Sequence, residues 1–261
     1  NPNHAPALIL LAEHQIDCED YEGAAKSLER TLQANPWRPE AWAYRALLAH
    51  LANDPNEAKV CRTRALKFWA TNPQVDHLIG VKLSQKYRFS EGSTFQRRAL
   101  QFDPNHVPAR IQLAEDLLRL GQEEPGWTLA NQVADADPYN VKAYNLSTLH
   151  DSMSKFKTLE ADGFVLRMNE LEAAVYGDQA LVLLKQARSE LCEKYGLQLD
   201  SPVTVELFAN PQDFAVRTFG IPDVDGYLGV CFGSVITANS PKAQRPANWQ
   251  AVLWHEFCHV V

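Results

Sequence analysis

This chain of 261 residues lacks long apolar runs and clusters of basic residues, and each absence excludes a class of protein. Its apolar stretches, such as Ala7 to Ala12, are far shorter than the roughly 20 residues that a helix needs to cross a bilayer. The sequence therefore predicts no membrane span. Its 25 Lys and Arg residues are scattered and its net charge is −7, whereas a protein that binds nucleic acid gathers basic residues into a patch. Nucleic acid is therefore not an expected partner.

Cysteine is also scarce. The five cysteines lie far apart and form no Cys-x-x-Cys pair, which argues against a disulfide framework and favours a reducing compartment such as the cytoplasm. The sequence starts at Asn1 without an apolar signal segment. This fits a fragment or a processed form as well as a cytoplasmic protein, so the compartment stays open.

The remaining composition is ordinary. Apolar residues make up 46% of the chain and charged residues 22%, which excludes a disordered tail, a collagen-like fibre and a coiled-coil rod. At this length two domains are expected, and either can bury a core of its own.

Small residues recur every 34 positions through residues 5–150. Within each unit, two small positions lie twelve residues apart, which lets two antiparallel helices approach closely where they cross. Asn-Pro and Asp-Pro pairs end the second helix of three units, since proline disfavours helix at the residue before it. The second unit departs from this register, because its break comes only at Asn72-Pro73, and we expect its second helix to run longer. The two columns of small residues are Ala12, Ala46, Gly80 and Ala114, and Ala24, Ala58, Gly92 and Gly126.

This register resembles the tetratricopeptide repeat, with four full units and the first helix of a fifth. The resemblance implies a superhelix whose concave groove binds a peptide or a partner protein, although such an array can equally serve only to position the next domain. The single histidines of this region are interpreted as solvated or hydrogen-bonded side chains. Its tryptophans, Trp37, Trp42, Trp69 and Trp127, are interpreted as packing between repeats.

The sequence thus predicts a mainly α protein in three parts. Residues 1–154 form the repeat array, and residues 155–200 form two connecting helices, Leu159–Tyr176 and Asp178–Tyr195. Residues 201–261 are α+β, with a strand at Val203–Phe208, a short helix after Asn210-Pro211, a strand at Tyr227–Thr237 and a last helix from Trp249. Gly229 and Gly233 within the second strand indicate a bulge, a close approach of another segment or a simple packing gap.

The last helix carries the pentad His255-Glu256-Phe257-Cys258-His259. Residues four apart share one face of a helix, so both imidazoles can reach a single tetrahedral Zn²⁺, and Glu256 lies where it can contact a metal-bound water. The alternative, two histidines satisfied in a core, leaves a buried Glu256 without a partner, which is costly. The apolar neighbours predict that the helix is buried. Cys258 and Cys231 are both interpreted as packing residues.

The segments Gly226–Ile236 and Trp249–His259 are similar to the peptidase MA-like, gluzincin-type metallopeptidases, particularly those fused to tetratricopeptide repeats. Over residues 201–261 the resemblance implies the N-terminal part of a zincin-like domain. It implies that His255 and His259 bind zinc, that Glu256 is the general base, and that the strand Gly229–Val235 borders the substrate cleft. It also implies a third ligand, a Glu from a later helix. Since the sequence stops two residues after His259, we expect that ligand beyond Val261 and only a partly formed site here.

The sequence therefore predicts a zinc-dependent peptide hydrolase with a helical-repeat region that can bind a protein partner. Its substrate is expected to be a peptide or protein lying extended along the Gly229–Val235 strand. The alternative is a tetratricopeptide scaffold for protein–protein interaction whose peptidase part is incomplete or non-catalytic. A Glu on the helix after Val261 would favour the enzyme.

Overall fold

A computed structural model describes residues 4–243 and 248–261 of the chain. The chain divides into two compact units, Asn1–Asp116 (unit 1) and Leu117–Val261 (unit 2). The expected boundary between residues 154 and 155 therefore lies inside unit 2. Among the described residues, no helix combines the length and the apolar character that a bilayer crossing requires.

Unit 1 is built from helical hairpins. Each hairpin joins two helices by a short turn, so that the helices run antiparallel and pack along their length. The three hairpins are α1 with α2, α3 with α4, and α5 with α6, and α7 then spans the division between the units. The helices are α1 (Ala5–Asp17), α2 (Tyr21–Ala34), α3 (Pro39–Leu51), α4 (Pro55–Ala65), α5 (Pro73–Gln85), α6 (Phe89–Phe102) and α7 (Val107–Arg119).

In the third hairpin the small residues of the two columns form the helix crossing, as the sequence predicts. A Cβ placed on Gly80 would lie 3.0 Å from the carbonyl oxygen of Gly92, and a Cβ on Gly92 would lie 3.0 Å from that of Gly80. The two backbones of this hairpin therefore touch where both residues lack a side chain. Seven of the eight column members are buried, and Ala58 is half-buried. The tetratricopeptide-like repeat is thus present as packed hairpins.

Helix α4 contradicts one expectation. It ends at Ala65 after 11 residues, so the prediction of a longer second helix in the second unit is wrong. The reason lies in the use of Asn72-Pro73: the Asn72 side chain accepts a hydrogen bond from the Gln74 amide and caps the start of α5. The pair starts the next helix instead of ending α4, and residues 66–72 form a loop.

Unit 2 combines two repeat helices, α8 (Glu123–Ala136) and α9 (Val141–Met153), with a small mixed sheet. The sheet has the strand order β1-β2-β3-β5-β4. Strand β3 runs parallel to both β2 and β5, while β1 with β2 and β4 with β5 are antiparallel hairpins. The further elements are β1 (Phe156–Ala161), β2 (Phe164–Asn169), α10 (Glu170–Tyr195), β3 (Val203–Phe208), α11 (Pro211–Phe219), β4 (Gly229–Cys231), β5 (Val235–Asn239) and α12 (Trp249–Val260).

The prediction of two connecting helices in residues 155–200 is wrong for the first half of this segment. A β-hairpin occupies residues 156–169, and a single helix, α10, follows it for 26 residues. The turn residues Asp162 and Gly163 have φ values of 50° and 80°, which Asp-Gly pairs adopt readily in two-residue hairpin turns. Helix α10 contains a glycine, Gly177, at the point where it packs closely on β1. A Cβ at this position would lie only 2.5 Å from Leu159 Cδ1.

The strand expected at Tyr227–Thr237 is instead a hairpin. Strands β4 and β5 pair with Gly229 opposite Ala238, and Gly233, with φ 83°, lies in the turn between them. The strand at 203–208, the helix after Asn210-Pro211 and the last helix occur where the sequence predicts them. Helices α10 and α12 pack on the sheet, and the Phe257 ring contacts the Phe164 ring at a tilt of 57°, with 5.5 Å between the ring centroids.

Candidate metal and catalytic site on the last helix

Helix α12 brings the two histidines of the pentad together. The Asn248 side chain accepts a hydrogen bond from the Ala251 amide and caps the helix start. One turn separates His255 from His259, and their Nε2 atoms lie 3.2 Å apart with the rings nearly perpendicular, at 88°. The two imidazoles therefore lie next to each other on one side of α12, as a spacing of four residues requires.

That separation fits a shared tetrahedral ion. Two nitrogen ligands about 2.0–2.1 Å from one tetrahedral Zn²⁺ lie about 3.3 Å from each other. The observed 3.2 Å between the Nε2 atoms matches this value. This distance is that of a hydrogen bond between the two rings, and it would also suit two ligands of one zinc ion.

The exposure of this pair differs from the sequence-based expectation. Both imidazoles are exposed to solvent, as is Cys258, so the prediction that the ligands lie on a buried helix is wrong. Helix α12 buries another face, formed by Leu253, Glu256 and Phe257, against the sheet. The interpretation of Cys258 as a core thiol is wrong for the same reason.

Glu256 is buried next to the exposed histidine pair, with 7% of its surface accessible. Its side chain lies against β4, where a Cβ on Gly229 would approach Glu256 Cγ to 2.7 Å and Oε1 to 3.0 Å. Of the three explanations for Gly229, close approach is therefore the correct one, and the approaching group is a side chain. Burial raises the pKa of the Glu256 carboxyl, and the neighbouring His255 and His259 oppose that shift.

A third ligand is missing from this arrangement. In residues 4–243 and 248–261, no group of three or more His, Cys, Asp or Glu side chains could hold a metal ion. Cys231 is half-buried and its thiol donates a hydrogen bond to the Gly233 carbonyl at 3.3 Å. Burial raises the pKa of this thiol to about 11. Cys231 fits the packing role.

Strand β4 forms the edge of the sheet beside Glu256. Within the described part of the chain it pairs with β5 alone, so its other side carries backbone groups that could pair with an extended peptide. The edge is shorter than the Gly229–Val235 strand expected from the sequence, because the chain turns at Gly233. Glu256 and the edge strand therefore meet at Gly229.

The other histidines are mostly hydrogen-bonded, as expected. His50 bonds Glu91 at 2.6 Å and His77 bonds Gln96 at 2.9 Å, while the His150 ring stacks on Trp127 at 4.8 Å. The tryptophans divide. Trp127 is buried, but Trp37 and Trp69 are more than half exposed, so the packing interpretation is wrong for these two.

No protein-family model matches this chain, and no curated protein matches it in sequence. Among solved structures, it is similar to YrrB, described as a tetratricopeptide repeat protein with an unusual peptide-binding site, at 18% identity and a TM-score of 0.35, over 59% of this chain and 79% of that one. PilW, a type IV pilus biogenesis factor, matches at 20% and 0.38, over 57% and 71%. PilF of Pseudomonas aeruginosa matches at 17% and 0.40, over 74% and 84%. These likenesses are weak, and the packed hairpins of the chain are the evidence for its repeat.

Proposed function

We propose that this chain is a tetratricopeptide-type scaffold for protein–protein interaction. Stacked helical hairpins present a row of helix faces and turns along which a partner can lie. The observation that supports this role is an exposed aromatic group formed by two successive connections of unit 1, the one after α2 and the one after α4. Trp37 and Phe68 are 55% and 69% exposed and meet edge to face at 5.0 Å, with Lys67 Nζ 4.0 Å from the Trp37 ring centroid. Aromatic side chains dominate the energetics of protein interfaces.

Selection of a displayed peptide library against the full chain tests the scaffold. We expect selected peptides to bind with dissociation constants below about 1 mM and to slow amide exchange within residues 5–153. The paired change Trp37→Ala with Phe68→Ala removes the exposed aromatic group, and Tyr139→Ala, which removes another exposed ring, is the control. Protection confined to residues outside the repeat would contradict the scaffold.

A second function, hydrolysis of peptide bonds, is favoured by one observation: two imidazoles converge at 3.2 Å beside a buried carboxylate. His255 and His259 would hold the zinc ion, which supplies Lewis-acid activation of water and of the scissile carbonyl. Glu256 would accept the proton of the attacking water at its carboxylate and deliver it to the leaving amine. The β4 edge would bind the substrate backbone and orient it towards Glu256.

The hydrolase requires a third protein ligand, which catalytic zinc sites usually have. The resemblance to gluzincin-type peptidases supports a Glu from a later helix. The competing proposal, a scaffold with a non-catalytic second part, is supported by the lack of a three-ligand group among the described residues. Zinc content and peptide cleavage, measured in protein that includes the sequence after Val261, separate the two. Zinc retained with cleavage supports the enzyme, and absence of both supports the scaffold alone.

A further inference from the structure

A cleft of about 500 Å³ opens in unit 1 between the second helices of two successive hairpins, α4 and α6. Its size is that of a pocket for a single bulky side chain or a small ligand. Neither Trp37 nor Phe68 lines it, and it is far in the chain from α12. Neither the repeat register nor the candidate zinc site explains it.

The floor of the cleft is apolar. Ala46 of α3, Ile79 of α5 and Phe95 of α6 line it, and all three are buried. Ala58, a member of the small-residue column, lines the α4 side and leaves room that a larger residue would fill. The floor therefore suits an aliphatic or aromatic side chain.

The rim is positively charged on both sides. Lys59 of α4 and Arg98 of α6 line the opening, and both are exposed. Among the described residues neither makes an ion pair, although the Arg98 guanidinium carbon lies 4.8 Å from the Phe95 ring centroid. Two cations thus flank an apolar floor in a chain whose net charge is −7.

The remaining charged groups of the cleft are already paired. Arg62 donates two hydrogen bonds of 2.6 Å to the buried carboxylate of Asp76. The acidic Glu91 accepts bonds from Arg88 at 2.6 and 2.7 Å and contacts His50 at 2.6 Å. The Arg88 guanidinium lowers the pKa of the Glu91 carboxyl. Glu91 is therefore neutralised locally, and Lys59 and Arg98 determine the charge that an incoming group meets.

We propose that this cleft binds a short acidic segment of a partner protein, with one Phe or Leu side chain on the floor and Asp or Glu residues on either side facing Lys59 and Arg98. The inference rests on the scaffold part of the proposed function and specifies its partner. It is independent of zinc binding. Electrostatic complementarity of this kind selects among partners, because like charges on the rim would repel a basic segment.

The test uses the full chain and a fluorescein-labelled heptapeptide, Asp-Glu-Asp-Phe-Glu-Asp-Glu, in an anisotropy titration at about 0.1 M salt. Two matched peptides replace either all acidic residues with Lys or the Phe with Ser. The double variant Lys59→Glu with Arg98→Glu reverses the rim, and Thr94→Phe, at an exposed lining position, fills the cleft. The control Lys155→Glu with Lys157→Glu makes the same change in net charge at exposed residues of unit 2.

We expect the acidic Phe peptide to bind and either peptide change to weaken it at least tenfold. The rim reversal and Thr94→Phe should each cause a similar loss, and the control pair should stay within about threefold, since long-range charge is screened over roughly 10 Å at 0.1 M salt. Binding that is indifferent to the rim reversal would overturn the cleft while leaving the scaffold in place. No binding of the acidic Phe peptide, or preferential binding of a labelled oligonucleotide, would also overturn it.

Discussion

The two units of this chain differ in whether their close packing contacts recur along the sequence. In unit 1 one device recurs: a pair of small residues twelve positions apart lets two helices touch, and the next unit repeats it 34 residues later. In unit 2 the decisive contacts occur once each, such as Gly229 against Glu256 or Gly177 against Leu159. A contact that recurs at a regular spacing can be recognised in a single sequence. A contact that occurs once appears in the sequence only as an isolated glycine, which has several possible explanations.

The largest effect that we expect is a loss of catalytic activity on changing Glu256, the proposed general base. In protein with a complete set of zinc ligands, Glu256→Gln should lower peptide hydrolysis by about 10²–10⁴-fold, the usual contribution of a general base. Zinc content should be unchanged, because the amide leaves His255 and His259 in place. His255→Ala is the matched variant and should lose the metal. Cleavage at the wild-type rate by Glu256→Gln would show that the mechanism is wrong.

The next effect concerns the interior of unit 2. Arg217 Nε lies 2.7 Å from Glu206 Oε2, and both side chains are fully buried. Arg217→Met should lower the free energy of unfolding by about 3–5 kcal/mol, because it leaves a buried carboxylate without its main partner. Adding Glu206→Leu removes both charges and should recover much of the loss. Hydrogen exchange of β3 and α11 amides during urea unfolding measures both, and a single-variant loss below about 1 kcal/mol would contradict the pairing.

A change at a single small residue of the repeat columns should have a smaller effect on stability. Ala114→Leu places a larger side chain at a fully buried column position and should lower stability by about 1–3 kcal/mol through overpacking. Ala58→Leu, at the half-buried member of the column, should have less effect. Urea midpoints from helical circular dichroism give the comparison. Equal midpoints for Ala114→Leu and the wild type would mean that the column does not set the packing.

The smallest effect is a pH dependence within unit 1. Burial lowers the pKa of His77, and its hydrogen bond with Gln96 opposes this shift only in part. The unfolded chain therefore binds a proton more readily, so stability is full above the unfolded pKa of about 6.5 and falls as the pH drops through it. His77→Gln should flatten the stability curve between pH 7 and pH 5. His14→Gln, at an exposed histidine, should not, and an unchanged slope in His77→Gln would contradict the assignment.

The difference between the two units also explains which features of the fold and of the site follow from the sequence. The hairpins and their columns follow from the 34-residue register, and the convergence of His255 and His259 follows from helical spacing alone. The pair Asp162-Gly163 is a sequence signal for the turn of the β1-β2 hairpin. It lies inside Leu159–Tyr176, a segment long enough to be interpreted as a helix, so the signal is not decisive. The exposure of the histidines could not be predicted, because it depends on which face of α12 packs on the sheet. The role of Gly229 likewise depends on a contact 27 residues away in the chain.

Zinc titration of the full chain against a chromogenic chelator measures whether His255 and His259 form a metal site on α12. With two histidine ligands the 261-residue chain should bind one zinc ion weakly, His255→Ala and His259→Ala should each abolish that binding, and Glu256→Gln should retain it. Protein extended past Val261 should bind more tightly. Zinc binding that survives both histidine changes, or that is equally tight with and without the extension, would contradict the site described here.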